Sequence, residues 1–231
     1  MPRFFCLLLA IFALANCISA KRQEDRVLTE VSQMGKEEIL ARGDALAAKK
    51  RFAEARKYYS FLADAFPNDP QGRLAALRIA DTFFSSKDPE AQAEAQIRYK
   101  DFATRFPNDS HRAYALLMLG RTYYQQARGP QRDLTPIKEA AEAFEQVVSL
   151  YPESPEAKEA GELLVRCHED LAQHELEVAR YYLTVGAQEG AKNRLKFLLA
   201  RYPETDAAKQ AQELLSGVEA SDKVRQNTGT S

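Results

Sequence analysis

The chain has 231 residues, 45% of them hydrophobic and 28% charged, a balance that suits a folded domain or short repeat array and excludes a disordered polymer. Lys and Arg total 32 against 33 for Asp and Glu, with no long run of one sign, so neither a nucleic-acid surface nor a polybasic membrane segment is expected. A protein partner is the better fit.

The first element is "MPRFFCLLLAIFALANCISAKRQEDR": one Arg3, an apolar run from Phe4 to Ala15, small residues, then abrupt charge from Lys21. Residues 1–20 read as a secretory signal, too short and wrongly flanked for a membrane span. Cleavage before Cys17 would leave that Cys as a lipidated first residue, and Leu14-Ala15-Asn16-Cys17 supports this; cleavage after Ala20 is the alternative. Lipidation would anchor the chain to a membrane without spanning it. Beyond the signal only Cys167 remains, so no internal disulfide framework is expected.

Four aromatic-Pro pairs then punctuate the chain, at Phe66-Pro67, Phe106-Pro107, Tyr151-Pro152 and Tyr202-Pro203, spaced 40, 45 and 51 residues apart. Twelve residues before each Pro stand Ala55, Ala95, Ala140 and Ala191. Eight before stand Tyr59, Tyr99, Phe144 and Leu195, and five before stand Leu62, Phe102, Val147 and Leu198. These intervals make a buried helical stripe whose Ala marks a close helix approach. Two residues after each Pro comes Asp69, Asp109, Ser154 or Thr205, all N-cap types, followed at two of them by Pro70 and Pro155. Eight after each Pro comes Ala75, Ala115, Ala160 or Ala211.

The unit is therefore helix, aromatic-Pro stop, cap and next helix, which predicts an all-α, TPR-like helical-hairpin solenoid of about four and a half repeats. Helices are expected at about 24–49, 51–66, 70–86, 89–106, 110–127, 134–151, 154–185, 187–202 and 205–219. The seventh, free of Pro between Pro155 and Gly186, would be about 45 Å long. The repeat domain is thus placed at 24–219, with the polar residues 220–231 read as a disordered tail.

No catalytic motif appears among these helices, and neither enzyme activity nor a cofactor is expected. His111, His168 and His174 lack metal-ligand spacing, so no metal site is assigned. The aromatic doublets Phe83-Phe84 and Tyr123-Tyr124 carry more. If Ala80 and Gly120 take the small-residue position of each hairpin's first helix, Phe83 and Tyr123 point inward, and Leu77, Asp81, Phe84, Leu117, Arg121 and Tyr124 turn toward the concave face. Such a face would suit an extended or helical peptide.

From Tyr151 the chain reads "YPESPEAKEAGELLVRCHEDLAQHELEVARYYLTVGAQEGAKNRLKFLLARYPET". The long helix with Leu-Ala then Glu, the Val-Ala-x-Tyr-Tyr, the Gly turn, Ala-x-Asn-Arg and Tyr-Pro-x-Thr resemble the BamD (ComL) family of TPR lipoproteins, as does Arg132-Asp133. The resemblance spans about residues 36–216. It implies a periplasmic scaffold of the outer-membrane β-barrel assembly machinery, lipid-anchored at the periplasmic face of the outer membrane. It further implies binding to the last POTRA domain of a BamA-like subunit, alongside other assembly lipoproteins, through Asn193, Arg194 and the loop from Gly186 to Gly190. Unfolded outer-membrane proteins would enter the groove around Phe84 and Tyr124. The alternative is another periplasmic TPR adaptor, such as a cell-division coordinator of the CpoB kind, exported as a soluble protein.

Overall fold

A computed structural model describes residues 29–86, 88–127 and 133–228, with side chains described as far as Asp222. Residues 1–20, where a secretory signal is expected, with Cys17 among them, and Arg132 lie outside the described residues. Nine full helices are present among the described residues, in two compact units that divide at Arg105/Phe106. The all-α expectation is borne out.

In the first unit, α1 (Lys36–Ala48), α2 (Phe52–Ala65), α3 (Pro70–Phe84) and α4 (Pro89–Arg105) each pack against the next, and α1 also touches α3. This is the contact pattern of stacked hairpins. The single helix expected over 24–49 is broken: a helical turn at 29–31 is followed by a bend, and α1 begins only after Gly35, whose backbone is extended at φ −74°, ψ 160°. A glycine is poorly held in a helix interior, and the bend lets Val31 enter the core beside Ile39, Tyr58 and Leu62.

The α1–α2 turn closes with the Arg51 N–H donating to the Leu46 carbonyl at 3.0 Å, and Lys50 sits in the left-handed region at φ 59°. In the second unit Gly186 takes the corresponding position at φ 78°, with the Ala187 N–H donating to the Tyr182 carbonyl at 2.8 Å. Both are the left-handed residue just past a helix end, where glycine avoids the Cβ clash. Replacing Lys50 with glycine is expected to stabilise the chain by about 1 kcal/mol in urea denaturation.

The second unit contains α5 (Arg112–Gln126), α6 (Thr135–Leu150), α7 (Pro155–Thr184), α8 (Gln188–Arg201) and α9 (Asp206–Thr228). Each packs on its successor, while α5 reaches α7 and α7 reaches α9. The long helix α7 has 30 residues, so one end serves the hairpin with α6 and the other the hairpin with α8. The last helix runs to Thr228, through most of the segment whose polar composition suggested a tail. Its exposed face carries Lys209, Gln212, Glu213, Ser216 and Glu219, a polar surface suited to closing a repeat stack.

The stripe read from the sequence forms the core of both units: Ala55, Ala95, Ala140 and Ala191, with Tyr59, Tyr99, Phe144 and Leu195, are all buried. Ala75, Ala115, Ala160 and Ala211 are fully buried as well. A Cβ at Gly43 would intrude on the Tyr59 ring, and one at Gly120 on the Phe144 ring, so in these two hairpins the small residue is a seat for the large one.

The turn that follows each aromatic-Pro pair takes more than one form. Asp69 caps α3, its Oδ1 accepting from the Gln71 N–H at 2.9 Å, with Pro70 in the first turn. Asp109 also accepts from the N–H two residues on, that of His111, at 2.9 Å, but α5 starts only at Arg112. Gly72 accounts for the difference: α3 passes so close to the Phe66 carbonyl that a Cβ there would collide with backbone, and the matching position in the second copy is Arg112. Ser154 occupies an N-cap position without a side-chain cap bond. Thr205 caps α9 through the Ala208 N–H at 3.1 Å, and Glu169 of α7 adds bonds from the Asp206 and Ala207 N–H groups at 2.8 and 3.0 Å. Placing a carboxylate against these orphan donors complements the positive end of the helix.

Candidate functional site: the inner helix faces and the α7–α8 turn

In the first unit, Asp44 of α1 and Asp81 of α3 each follow the small residue of their helix. Asp44 accepts the Tyr59 phenol at 2.7 Å and Asp81 accepts the Tyr99 phenol at 2.7 Å. Arg78 joins the two hairpins, with Nε 3.4 Å from Asp44 and Nη1 3.2 Å from Asp81. Burial works against the Arg78 charge, but the two carboxylates more than offset it and its pKa is raised. Burial, then the bond to Asp44, raises the Tyr59 phenol as well, so it remains a donor at neutral pH. Asp44, Tyr59, Arg78 and Asp81 line a cleft of about 190 Å³ together with Thr82 and Ser85.

Of the three α3 residues expected on the inner face, Asp81 lines this cleft. Phe84 is half-buried and meets the Tyr99 ring edge-on at 6.4 Å, whereas Leu77 is buried and offers almost no surface. Phe83 packs against the core, with the Arg56 guanidinium 4.3 Å and that of Arg98 5.3 Å from its ring centre.

In the second unit, α5 carries the matching three. Leu117 is buried; Arg121 is half-buried and pairs with Glu159 of α7 at 3.2 Å; Tyr124, half-buried, donates to Asp170 of α7 at 3.4 Å. Tyr123 is buried. Burial, then Asp170, raises the Tyr124 phenol, while burial raises the Asp170 carboxyl. Nearby, Cys167 is fully buried and its thiol is pushed up to about 12, first by burial and then by Asp170. Such a thiol is an unreactive packing group. Among the described residues no group of three or more His, Cys, Asp or Glu is arranged to hold a metal.

The Asp-Tyr pairs were not anticipated, although their signal is present. Where the hairpin's second helix offers a phenol, the small residue is followed by Asp, as in Gly43-Asp44 and Ala80-Asp81. Where it offers Phe144 or Leu195, the follower is Arg, as in Gly120-Arg121 and Ala179-Arg180. A buried hydroxyl needs an acceptor, and a ring or an aliphatic chain does not.

At the α7–α8 turn, Asn193 and Arg194 are both exposed on α8. Arg194 pairs with Glu175 of α7 at 3.1 Å, the Glu175 side chain being 13% exposed and that of Arg194 45%, so the paired cation still faces solvent. Tyr181 and Val185 expose 63% and 56% of their surface close by in sequence, and Gly190 lets the chain pass the Tyr182 ring.

Helical hairpins stacked on a repeating small-large seat, with a long shared helix, define a TPR-type repeat protein. A family described as YfiO, outer membrane lipoprotein, matches residues 32–227. The chain belongs to that family. Relatives titled outer membrane protein assembly factor BamD include those of Vibrio cholerae, 35% identical over 83 residues (36% of this chain, 34% of that protein), and Pasteurella multocida, 33% over 96 residues (42% and 36%). The same title belongs to a protein of Neisseria gonorrhoeae, 33% identical over 84 residues (36% and 32%). The matched stretch spans about a third of the length of these relatives. No helix among the described residues is long and apolar enough to cross a membrane.

Proposed function

We propose that the protein is a non-catalytic scaffold for the assembly of β-barrel proteins into the outer membrane, held at its periplasmic face by a lipid on Cys17. The observation that carries this reading is the family match over residues 32–227, joined to relatives that are titled outer membrane protein assembly factors. The α7–α8 hairpin is the docking element for a BamA-like subunit. Arg194, oriented by Glu175, offers a pre-placed guanidinium to an acidic surface, and Asn193 and the loop from Gly186 to Gly190 flank it. Unfolded barrel proteins engage the inner faces, where Asp81 and Phe84 in one unit and Arg121 and Tyr124 in the other combine polar and aromatic surface.

The test is affinity purification of the lipidated protein from solubilised outer membranes. A barrel-assembly subunit should co-purify with the natural chain and fall at least about tenfold with Arg194→Glu, since breaking an interfacial charge pair costs about 2–5 kcal/mol. Circular dichroism should be unchanged. Absence of any barrel-assembly subunit from the natural chain's eluate would overturn the assignment.

A further inference from the structure

The outward face of α8 differs from its equivalents on the other hairpins. Ala191, Leu195 and Leu198 point inward and are fully buried, while Lys196, Phe197, Ala200 and Arg201 recur at intervals of three and four and are exposed. Phe197 keeps 49% of its surface open. The other two cations of the helix are engaged, Lys192 by Glu189 and Asp222 and Arg194 by Glu175. Lys196 and Arg201 make no ion pair among the described residues, and the Arg201 guanidinium lies over the neighbouring Tyr202 ring, 5.8 Å from its centre. No acid occurs between Glu189 and Glu204. By contrast, α6 turns Glu142 and Glu145 outward, and on α4 the exposed Ile97 has Lys100 and Asp101 beside it.

We propose that this stripe is a contact for the anionic headgroups of a phospholipid bilayer. It is a ridge rather than a pocket: the 430 Å³ cleft of this unit is lined by Arg180, Gln210, Leu214, Gly217 and other residues away from the stripe. A ridge with one aromatic ring between two long cationic stems matches a planar interface, the ring reaching the headgroup boundary and the stems extending to phosphates. The charge complementarity is one-signed and unopposed by any acid on the stripe. A family described as outer membrane lipoprotein brings a bilayer within reach. Two cations and one ring give weak attraction, each cation contributing about fivefold in partitioning, so the stripe orients a protein already held at the surface rather than anchoring it. Because the cations sit at helical spacing, they escape a search for charge runs.

The experiment uses the full exported chain carrying Cys17→Ala, so that no acyl chain masks the contact, in co-sedimentation with vesicles at low salt. Binding to phosphatidylethanolamine vesicles containing phosphatidylglycerol should exceed binding to phosphatidylcholine vesicles by roughly tenfold or more, and K196E/R201E should remove that excess. F197S should weaken binding several-fold, while K100E/K138E, which makes the same change of net charge at exposed positions elsewhere, should leave most of it. Equal sedimentation of the natural chain and K196E/R201E would overturn the proposal. So would a stripe variant that loses an acidic protein partner but no vesicle binding, since the occupant would then be a protein.

Discussion

Phe144→Ala is expected to destabilise the second unit by about 3–5 kcal/mol, read as a lowered urea midpoint by circular dichroism. Phe144 is fully buried, and its ring lies over Gly120 on the facing helix. Removing the ring loses its transfer free energy and leaves a cavity. Collapse cannot fill that cavity readily, because the opposing position has no side chain to move into it. The arrangement makes a sharper prediction about sign. Gly120→Ala alone should destabilise, since its Cβ would meet ring carbons of Phe144 inside contact distance. In the Phe144→Ala background the same change should stabilise, filling part of the void and adding the better helix former. A double-mutant cycle measures the reversal. Additive effects would show that the seat and the ring are not coupled.

Gly72→Ala is expected to destabilise by about 2–3 kcal/mol, although helix propensity alone favours the change by about 1 kcal/mol. The added Cβ would collide with the Phe66 carbonyl, a backbone group that cannot swing aside, and the turn through Pro67, Asn68 and Asp69 would have to open. The second copy of the motif, with Arg112 at the matching place, begins its helix later. Gly161→Ala on α7 is the control. Its nearest neighbour would be a Val148 methyl at 4.0 Å, an ordinary contact, so propensity should prevail and the variant should gain about 1 kcal/mol. Hydrogen exchange at Gln71, Gly72 and Arg73 should quicken in Gly72→Ala alone. A stabilised Gly72→Ala would mean that the turn relaxes at little cost.

The repeat core was legible because its cause is local and periodic. A helix that presents an apolar stripe every three or four residues must bury it, and the one place where two helices come closest tolerates only a small side chain. Hence Ala55, Ala95, Ala140 and Ala191 could be placed by counting from proline, and each is fully buried. The 30-residue α7 was legible for the same kind of reason: no proline interrupts it after Pro155, and Gly186 ends it. The break before α1 was only partly legible: Gly35 marks a weak point for a helix, but the apolar spacing runs through it, and the core position of Val31 is set by packing.

The candidate surfaces were less legible. Leu77 and Leu117 stand at the expected helical spacing from Asp81 and Arg121 yet are buried, because how much of a helix face stays open depends on what packs over it. The neighbours that fix the charged residues are likewise distant along the chain. Arg194 meets Glu175 from the preceding helix, and Arg78 meets Asp44 from the preceding hairpin.

By itself, the amino-acid order determined that this protein is a stack of helical hairpins, where each hairpin turns, and which residues fill the seats between helices; these follow from periodicity, proline and capping, all local in the chain. Only the tertiary structure decided that Gly72 touches the Phe66 carbonyl, that Glu169 caps a helix begun at Asp206, and that α8 turns Lys196, Phe197 and Arg201 outward with no acid to meet them. Those outcomes depend on groups brought together from separate elements. Their distances are set by packing, which no local pattern encodes.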